Sequence, residues 1–531
     1  MTNNNQSDPV RLEIFNNLYQ FIAEQMGIVL QNTAVSVNIK ERLDFSCAIF
    51  DSFGSLVANA PHIPVHLGSM SASVSSLIQE LGDQIQPGNV YVSNNPYNGG
   101  THLPDVTVIT PVFDEVQLRP VLHGRGTVHP QNPTQPIFYV ASRGHQADIG
   151  GITPGSMPPG SENIKEEGIL INNFLLVEAG VFQETAIKKI LTNHPYPARN
   201  PEQNIADFQA QIAANNCGVK ELLNMVKQYG LETVQAYMQF VQDNAEEAVK
   251  SAIALLQDGE FISEMDNGAK IQVKITIDHT HRRATIDFTG TSKQLDNNFN
   301  APTAVCQAAI LYVFRTLVQD RIPLNAGCLK PLDIIIPPGC MLNPQYPAAV
   351  VAGNVETSQN ITDCLYGALG IMAASQGTMN NFTFGNQQYQ YYETICGGSG
   401  AGKNFNGTDA VQTQMTNSRL TDPEILELRF PVLVEEFSIR RGSGGMGINH
   451  GGNGVVRKLR FLTQMTAGIL SNRRQTFPFA LAGGKPGKPG KNYVQRQDKT
   501  IEELNSQATV EMQPGDTFII ETPGGGGYGK L

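Results

Sequence analysis

NNPYNGGTHLPDVTVITPVF at 94–113 and FYVASRGHQADIGGITPGSMPPGS at 138–161 form the stretch from which the rest of this chain is read. Two apolar, β-branched runs, Val106 to Phe113 and Ile137 to Ser142, read as strands. Each is bordered by turn-rich residues that hold one histidine and one aspartate, His102-Leu-Pro-Asp105 and His145-Gln-Ala-Asp148. Pro104 keeps His-x-x-Asp from being an interior helical turn, so its two side chains have to converge through loop geometry. Loops at strand ends are where rigid scaffolds hold chemistry. Neutral imidazole with carboxylate suits a borderline divalent metal such as zinc, manganese or iron. The same residue types also serve turn chemistry in polar loops. Spacing alone therefore leaves a structural role open beside a metal-binding one.

Outward from this stretch, Val10 to Gln31 carries apolar residues at 14, 15, 18, 22, 26 and 29, a helical period, with Asp8-Pro9 as cap and first turn. Cys47 to Phe50 and Ser55 to Ala60 flank the turn Asp51-Ser-Phe-Gly54 and read as a hairpin; a helix is expected from Ser71 to Leu81. Residues 201–257 read as two helices broken at Gly230. Lys270 to Gly290 reads as a strand pair turning near His281, and its His279 and His281 share metal-compatible spacing but fit a polar outer face better. Ala301 to Leu317 is an apolar helix. From Tyr346 onward the chain is Gly-, Asn- and Thr-rich, with one helix from Ser358 to Gln376. The reading is a mixed α/β (α+β), multi-layered chain of several sub-domains. Their expected bounds are 1–200 (α/β, with the His/Asp residues), 201–257 (helical), 258–345 (hairpin plus helix) and 346–531 (glycine-rich strands and loops).

Composition narrows the function classes. The 531 residues exceed one ordinary core. A net charge of −11 without a basic cluster argues against nucleic acid or an anionic membrane as partner. No apolar run reaches spanning length, and residues 1–9 lack the charged and apolar regions of a signal peptide, so a cytoplasmic location is expected. Seven dispersed cysteines without a CxxC pair read as free thiols.

Two glycine motifs imitate nucleotide sites. GGSGAGK at 397–403 has Asn404 where a phosphate loop needs Ser or Thr, and GSGGMG at 442–447 is followed by INHGGNG instead of a helix. Both read as tight turns. The tail ETPGGGGYGKL is too flexible to hold itself, and is expected to dock at an interface, close over a site or stay disordered. GNVETSQ (353–359) and YYETICGGSGAG (391–402) place Glu356 and Glu393 beside glycines, where they can position a nucleophile or anchor a substrate, or simply be solvated. Arg419, in MTNSRLTDPE, has the planar fork that suits a substrate carboxylate, and can equally pair with Asp422 or Glu424.

The opening stretch resembles the signature of the hydantoinase B / 5-oxoprolinase family. So do IKERLDFSCAIFDSFGSLVANAPHIPVHLGSM (39–70), GNVETSQNITD (353–363), MTNSRLTDPEILELRFPVL (415–433) and RRGSGGMGINHGGNGVVR (440–457). The resemblance covers the chain from about residue 10 to residue 531. It implies the B (hydrolytic) subunit of an ATP-dependent complex, related to a subunit of acetone carboxylase. In such a complex an A-type subunit with an actin-like fold carries ATP and Mg and phosphorylates the lactam oxygen. The B subunit then opens the ring, most simply 5-oxo-L-proline to L-glutamate, in a hetero-oligomer holding two or more copies.

By the same resemblance His102, Asp105 and His145 hold the metal (Mn, Zn or Fe), and Asp148 orients His145 or is a fourth ligand. His66 and Glu393 join Asp148 as catalytic candidates, while Glu356 and Arg419 contact the substrate. His123 and His129 fall in a segment, 115–136, that looks inserted relative to the family, and are expected to be bystanders. The family often has two adjacent histidines where this chain has His145-Gln146, which puts that part of the site in question. Alternatives are another cyclic amide such as N-methylhydantoin, ketone carboxylation, a non-catalytic scaffold for the A subunit, or a stand-alone metallohydrolase.

Overall fold

The computed structural model describes residues 8–114, 121–123, 126–128, 135–319 and 322–531. His129 lies outside these, as does the side chain of His123; only the backbone hairpin Val121–His123/Gly126–Val128 is described there.

The site is organised by an antiparallel seven-stranded sheet. Its order is Leu56–Asn59, Phe45–Phe50, Phe138–His145, Asp105–Val112, Val90–Ser93, Phe174–Glu178 and Val181–Phe182. Alternation along each strand sorts the core into two layers. Cys47, Ile49, Phe138 and Val140 face the helices Pro9–Thr33 and Pro201–Tyr229. Ala48, Phe50, Tyr139 and Ala141 face the helix Pro64–Leu81. The central strands are buried on both faces, so their polar residues are matched inside: Arg143 donates to Thr107 Oγ1 at 2.8 Å and to Ser69 Oγ at 2.6 Å.

Polar groups fasten the helix Pro201–Tyr229 to this sheet. Gln211 Nε2 donates to the carbonyls of Val106 and Ser142 at 3.0 Å, and Asn215 Nδ2 to that of Val108 at 3.0 Å. Asp8 accepts from Val10 N at 3.0 Å and caps the first helix, as its Asp-Pro opening predicts. The third helix starts at Pro64, seven residues before the expected Ser71, because Pro64 fits the first helical turn. His66 therefore sits in a helix and not in a loop.

A four-stranded sheet, Gly259–Glu264, Lys270–Asp278, Arg283–Asp287 and Leu332–Ile335, packs on the helices Thr303–Thr316 and Ser358–Leu369 in the largest core. Gly68 permits a close approach between the third helix and this unit: a Cβ there would lie 2.4 Å from Ala308 Cα. Two further sheets, of four and five strands, fill 381–521.

The glycine-rich segments 397–407, 442–454, 484–487 and 523–527 form neither a phosphate loop nor a loose tail. They lie side by side as threads bonded through their backbones: Gly525 N donates to Gly452 O at 2.9 Å, Gly452 N to Ser399 O at 2.9 Å, and Gly445 N to Gly525 O at 2.8 Å. A Cβ at Gly398, Gly451 or Gly525 would lie 1.9–2.0 Å from the oxygen of Gly452, Gly525 or Ser399, respectively. Close approach, not conformational freedom, selects glycine here. The tail is held by the chain itself.

Candidate metal centre

Asp105 opens one central strand and His145 closes the next; the two are direct cross-strand partners. The two halves of the opening stretch meet through this register. His102, three residues before Asp105, turns back on it through the Pro104 bend, with Asp105 N donating to His102 O at 3.1 Å. His66 reaches in from the first turn of the helix above.

Three imidazole nitrogens converge on one oxygen. His102 Nε2, His66 Nε2 and His145 Nδ1 lie 3.1, 3.2 and 3.2 Å from Asp105 Oδ1. The second carboxylate oxygen is occupied: Thr101 Oγ1 and Asn354 Nδ2 each donate to Oδ2 at 3.0 Å. The carboxylate is thus divided into one oxygen that fixes the side chain and one that faces the histidines. All four residues are at most 2% exposed. Burial alone would raise the Asp105 carboxyl, but the neighbouring His102 and His66 and the hydrogen bonds of His102 and His145 hold it well below the usual carboxylate range. Burial lowers the His145 imidazole.

An outer layer aims these groups. His102 Nδ1 lies 3.4 Å from Val351 O, and His66 Nδ1 3.3 Å from Ser46 Oγ. His145 stacks on Tyr392 at 4.6 Å, and Tyr392 donates to Asn381 Oδ1 at 2.9 Å. Asn381 in turn donates to Glu356 Oε1 at 2.7 Å. Asn354 and Glu356 sit on a π-helical turn, Gly353–Thr357, a rare form that is frequent at functional sites. Glu167 anchors the approach to this turn, accepting from Val350 N and Val351 N at 2.9 Å.

The donor set fits a divalent metal. His102, Asp105 and His145 each offer one ligand atom within 4.8 Å of the others. His145 Nε2, the ring nitrogen turned away from Asp105, is buried without a hydrogen-bond partner, as expected of an imidazole whose lone pair serves another purpose.

The remaining sequence candidates fall elsewhere. Asp148 does not bond His145: its oxygens accept from Arg199 Nη1 at 2.8 Å, Gly150 N at 3.0 Å and Gly155 N at 3.1 Å, which ties one loop together. Gln146 is buried, its Oε1 accepting from Asn204 at 3.0 Å. Glu393 faces away from the centre, because Tyr392 faces it and strand neighbours alternate. It forms a bidentate pair with Arg457 at 3.0 Å and accepts from Tyr391 at 2.9 Å. Glu356 lies in the outer layer, its carboxyl pushed up to about 7 by burial. Arg419 is exposed and lines an outer cleft of about 420 Å³ with His62 and Asn417. His281 bonds Asp278 at 2.6 Å at an exposed hairpin tip. Sequence reasoning passes over Arg42, Asp44, Thr101, Asn354 and Tyr392. Of these, only Thr101, adjoining His102, carries a local signal.

Similarity to known proteins bears on this centre. The family model described as hydantoinase B/oxoprolinase matches residues 8–531. The 5-oxoprolinase 1 of Arabidopsis thaliana is 48% identical over 99% of this chain, which spans 42% of that longer protein. The structure of an ATP-dependent caprolactamase from Pseudomonas jessenii superposes with a TM-score of 0.86 at 24% identity, covering 99% of this chain and 92% of its own. That of acetone carboxylase, nucleotide-free, gives 0.86 at 15% identity over 98% and 76%. At these identities the two structures speak for the fold alone. No helix among the described residues is long and apolar enough to cross a membrane.

Proposed function

The chain belongs to the hydantoinase B/oxoprolinase family, and on that premise we propose that it performs the ring-opening half of an ATP-dependent cyclic amide hydrolysis, with 5-oxo-L-proline as substrate and L-glutamate as product. The observation that carries this reading is the convergence of His66, His102 and His145 on one oxygen of a buried carboxylate. The 48% identity to a 5-oxoprolinase supports the choice of ring. An unstrained lactam is a poor electrophile, so prior phosphorylation of its oxygen supplies the leaving group. That step belongs to a separate A-type polypeptide, or to the part of the longer relatives that this chain does not span. ATP and magnesium act there. A phosphate-loop or dinucleotide reading of the glycine runs here has no support, since their amides bond to neighbouring backbone.

His102, Asp105 and His145 would hold the metal, with His66 beside them, and such a metal lowers the pKa of a bound water toward neutrality. The chain's own residues do the rest. Thr101 and Asn354 lock Asp105 so that only Oδ1 faces the imidazoles. Tyr392 fixes the plane of the His145 ring, and the seal around the cluster keeps bulk water from an activated ring.

The test is glutamate release from 5-oxo-L-proline by the chain assembled with its A-type partner. Release is expected to require ATP and to fall at least a hundredfold in His102→Ala with assembly intact. Undiminished release in that variant would refute the assignment of the centre.

A further inference from the structure

Arg42 is the group that the proposed chemistry leaves unexplained. It is fully buried, yet its guanidinium is poorly matched by protein. Nη2 donates to Thr394 Oγ1 and Ser418 Oγ at 3.3 Å each, longer than an ordinary charged hydrogen bond. Nε and Nη1 have no hydrogen-bond partner, and Asp44 Oδ2 lies 3.5 Å from Nη1. A buried charge is costly unless paired and hydrogen-bonded. Asn38, one turn earlier and 1% exposed, also has a buried Nδ2 without an acceptor. These unmatched groups are all donors.

The location adds to the chemistry. Arg42 lies over the Tyr392 ring at 4.6 Å, and the same ring stacks on His145 at 4.6 Å. By the other route, Asp44 stands between Arg42 and His66, 4.0 Å from His66 Nε2. Either way one side chain separates the guanidinium from the His/Asp cluster. The outer cleft adjoins it. Leu43, held at a φ of 54°, lines that cleft, as do Asn417 and Arg419, while Ser418 between them turns inward to Arg42. Such a φ is uncommon for a branched, bulky residue and is kept only where the surroundings impose it.

We propose that Arg42, assisted by Asn38, is the recognition site for the carboxylate of the cyclic amide substrate. This rests on the function proposed above and moves the carboxylate-binding role from exposed Arg419 to a buried guanidinium. Arg419 is left at the mouth of the cleft.

The test compares 5-oxo-L-proline with 2-pyrrolidinone, the same ring without its carboxylate, in the assembled enzyme. In Arg42→Lys the kcat/KM ratio of the two compounds is expected to fall about ten- to hundredfold, because lysine keeps the charge but loses the second arm of the fork, and one hydrogen bond to a charged group is worth about that factor. The fall should come chiefly from weaker binding of the carboxylate-bearing ring, seen as a raised KM with kcat little changed. Asn38→Asp, which replaces a donor with an acceptor at constant shape, should lower the same ratio if Arg42→Lys does not fold. An unchanged ratio in a folded variant overturns the assignment. Calorimetry separates this inference from the reading it rests on. If wild type opens neither ring but binds 5-oxo-L-proline, and not 2-pyrrolidinone, with Arg42→Lys losing that binding, the function fails and the site stands. No preference for 5-oxo-L-proline in wild-type binding overturns the site.

Discussion

Two His/Asp pairs in this molecule share a spacing and nothing else. His102 and Asp105 stand three residues apart with 3.1 Å between nitrogen and oxygen; Asp278 and His281 stand three apart with 2.6 Å. The shorter contact is the weaker candidate. It sits at a hairpin tip where the His281 side chain is 71% exposed and solvent screens the pair. The longer one is sealed, and two more imidazoles share its oxygen. Convergence and burial, not pairwise distance, distinguish a candidate metal site from a surface contact.

The difference is largest in metal content. Asp105→Asn is expected to abolish stoichiometric metal and reduce turnover by three powers of ten or more, whereas His281→Ala should leave both unchanged. Elemental mass spectrometry on the two purified variants decides this, and equal metal loss in both would erase the contrast.

A buried carboxylate is not by itself a site residue, and Glu393 sharpens that point. Glu393→Gln breaks the sealed pair with Arg457 and should cost about 3–5 kcal/mol of stability. Metal per folded molecule should stay at the wild-type level. Denaturant unfolding followed by metal analysis reads both quantities, and loss of metal from a folded variant would return Glu393 to the centre.

The smallest effect belongs to the layer between these extremes. Glu356 has a folded pKa raised to about 7 from an ordinary 4.5, so the folded state binds more protons than the unfolded one between those values. Its contribution to stability is full below about pH 4.5 and is lost as pH rises through 7. Glu356→Gln should therefore flatten the decline in the thermal midpoint between pH 5 and 8, by an amount worth about 1–3 kcal/mol. A wild-type slope in the variant would show that another group titrates there.

The parts of the centre legible in the sequence are those whose chemistry and local structure coincide. His102, Asp105 and His145 can be picked out because each flanks a β-branched run whose pairing brings them to one place. His66 is legible as a residue but not as part of a helix, unless Pro64 is given its full weight as a first-turn residue. The partners of Asp148 and Glu393, Arg199 and Arg457, lie 51 and 64 residues away, and no local pattern announces such pairs. Asn354 and Tyr392 reach the centre only through packing of the C-terminal half on the first sheet. The glycine runs mislead in a different way, since glycine chosen for flexibility and glycine chosen for close contact look alike in sequence.

Those glycine threads also set a timetable. Residues 523–527 lie between partners at 397–407 and 442–454, so this assembly cannot close while its final thread is still inside the ribosome. The strands that carry Asp105 and His145, and the loop that carries His102, all emerge much earlier, and domains generally fold as they are synthesised. Half of the centre can thus take shape on the nascent chain. Tyr392 and Asn354 come later in the chain, so the stacking on His145 and the bond to Asp105 Oδ2 are added to a His/Asp cluster whose own residues are already made.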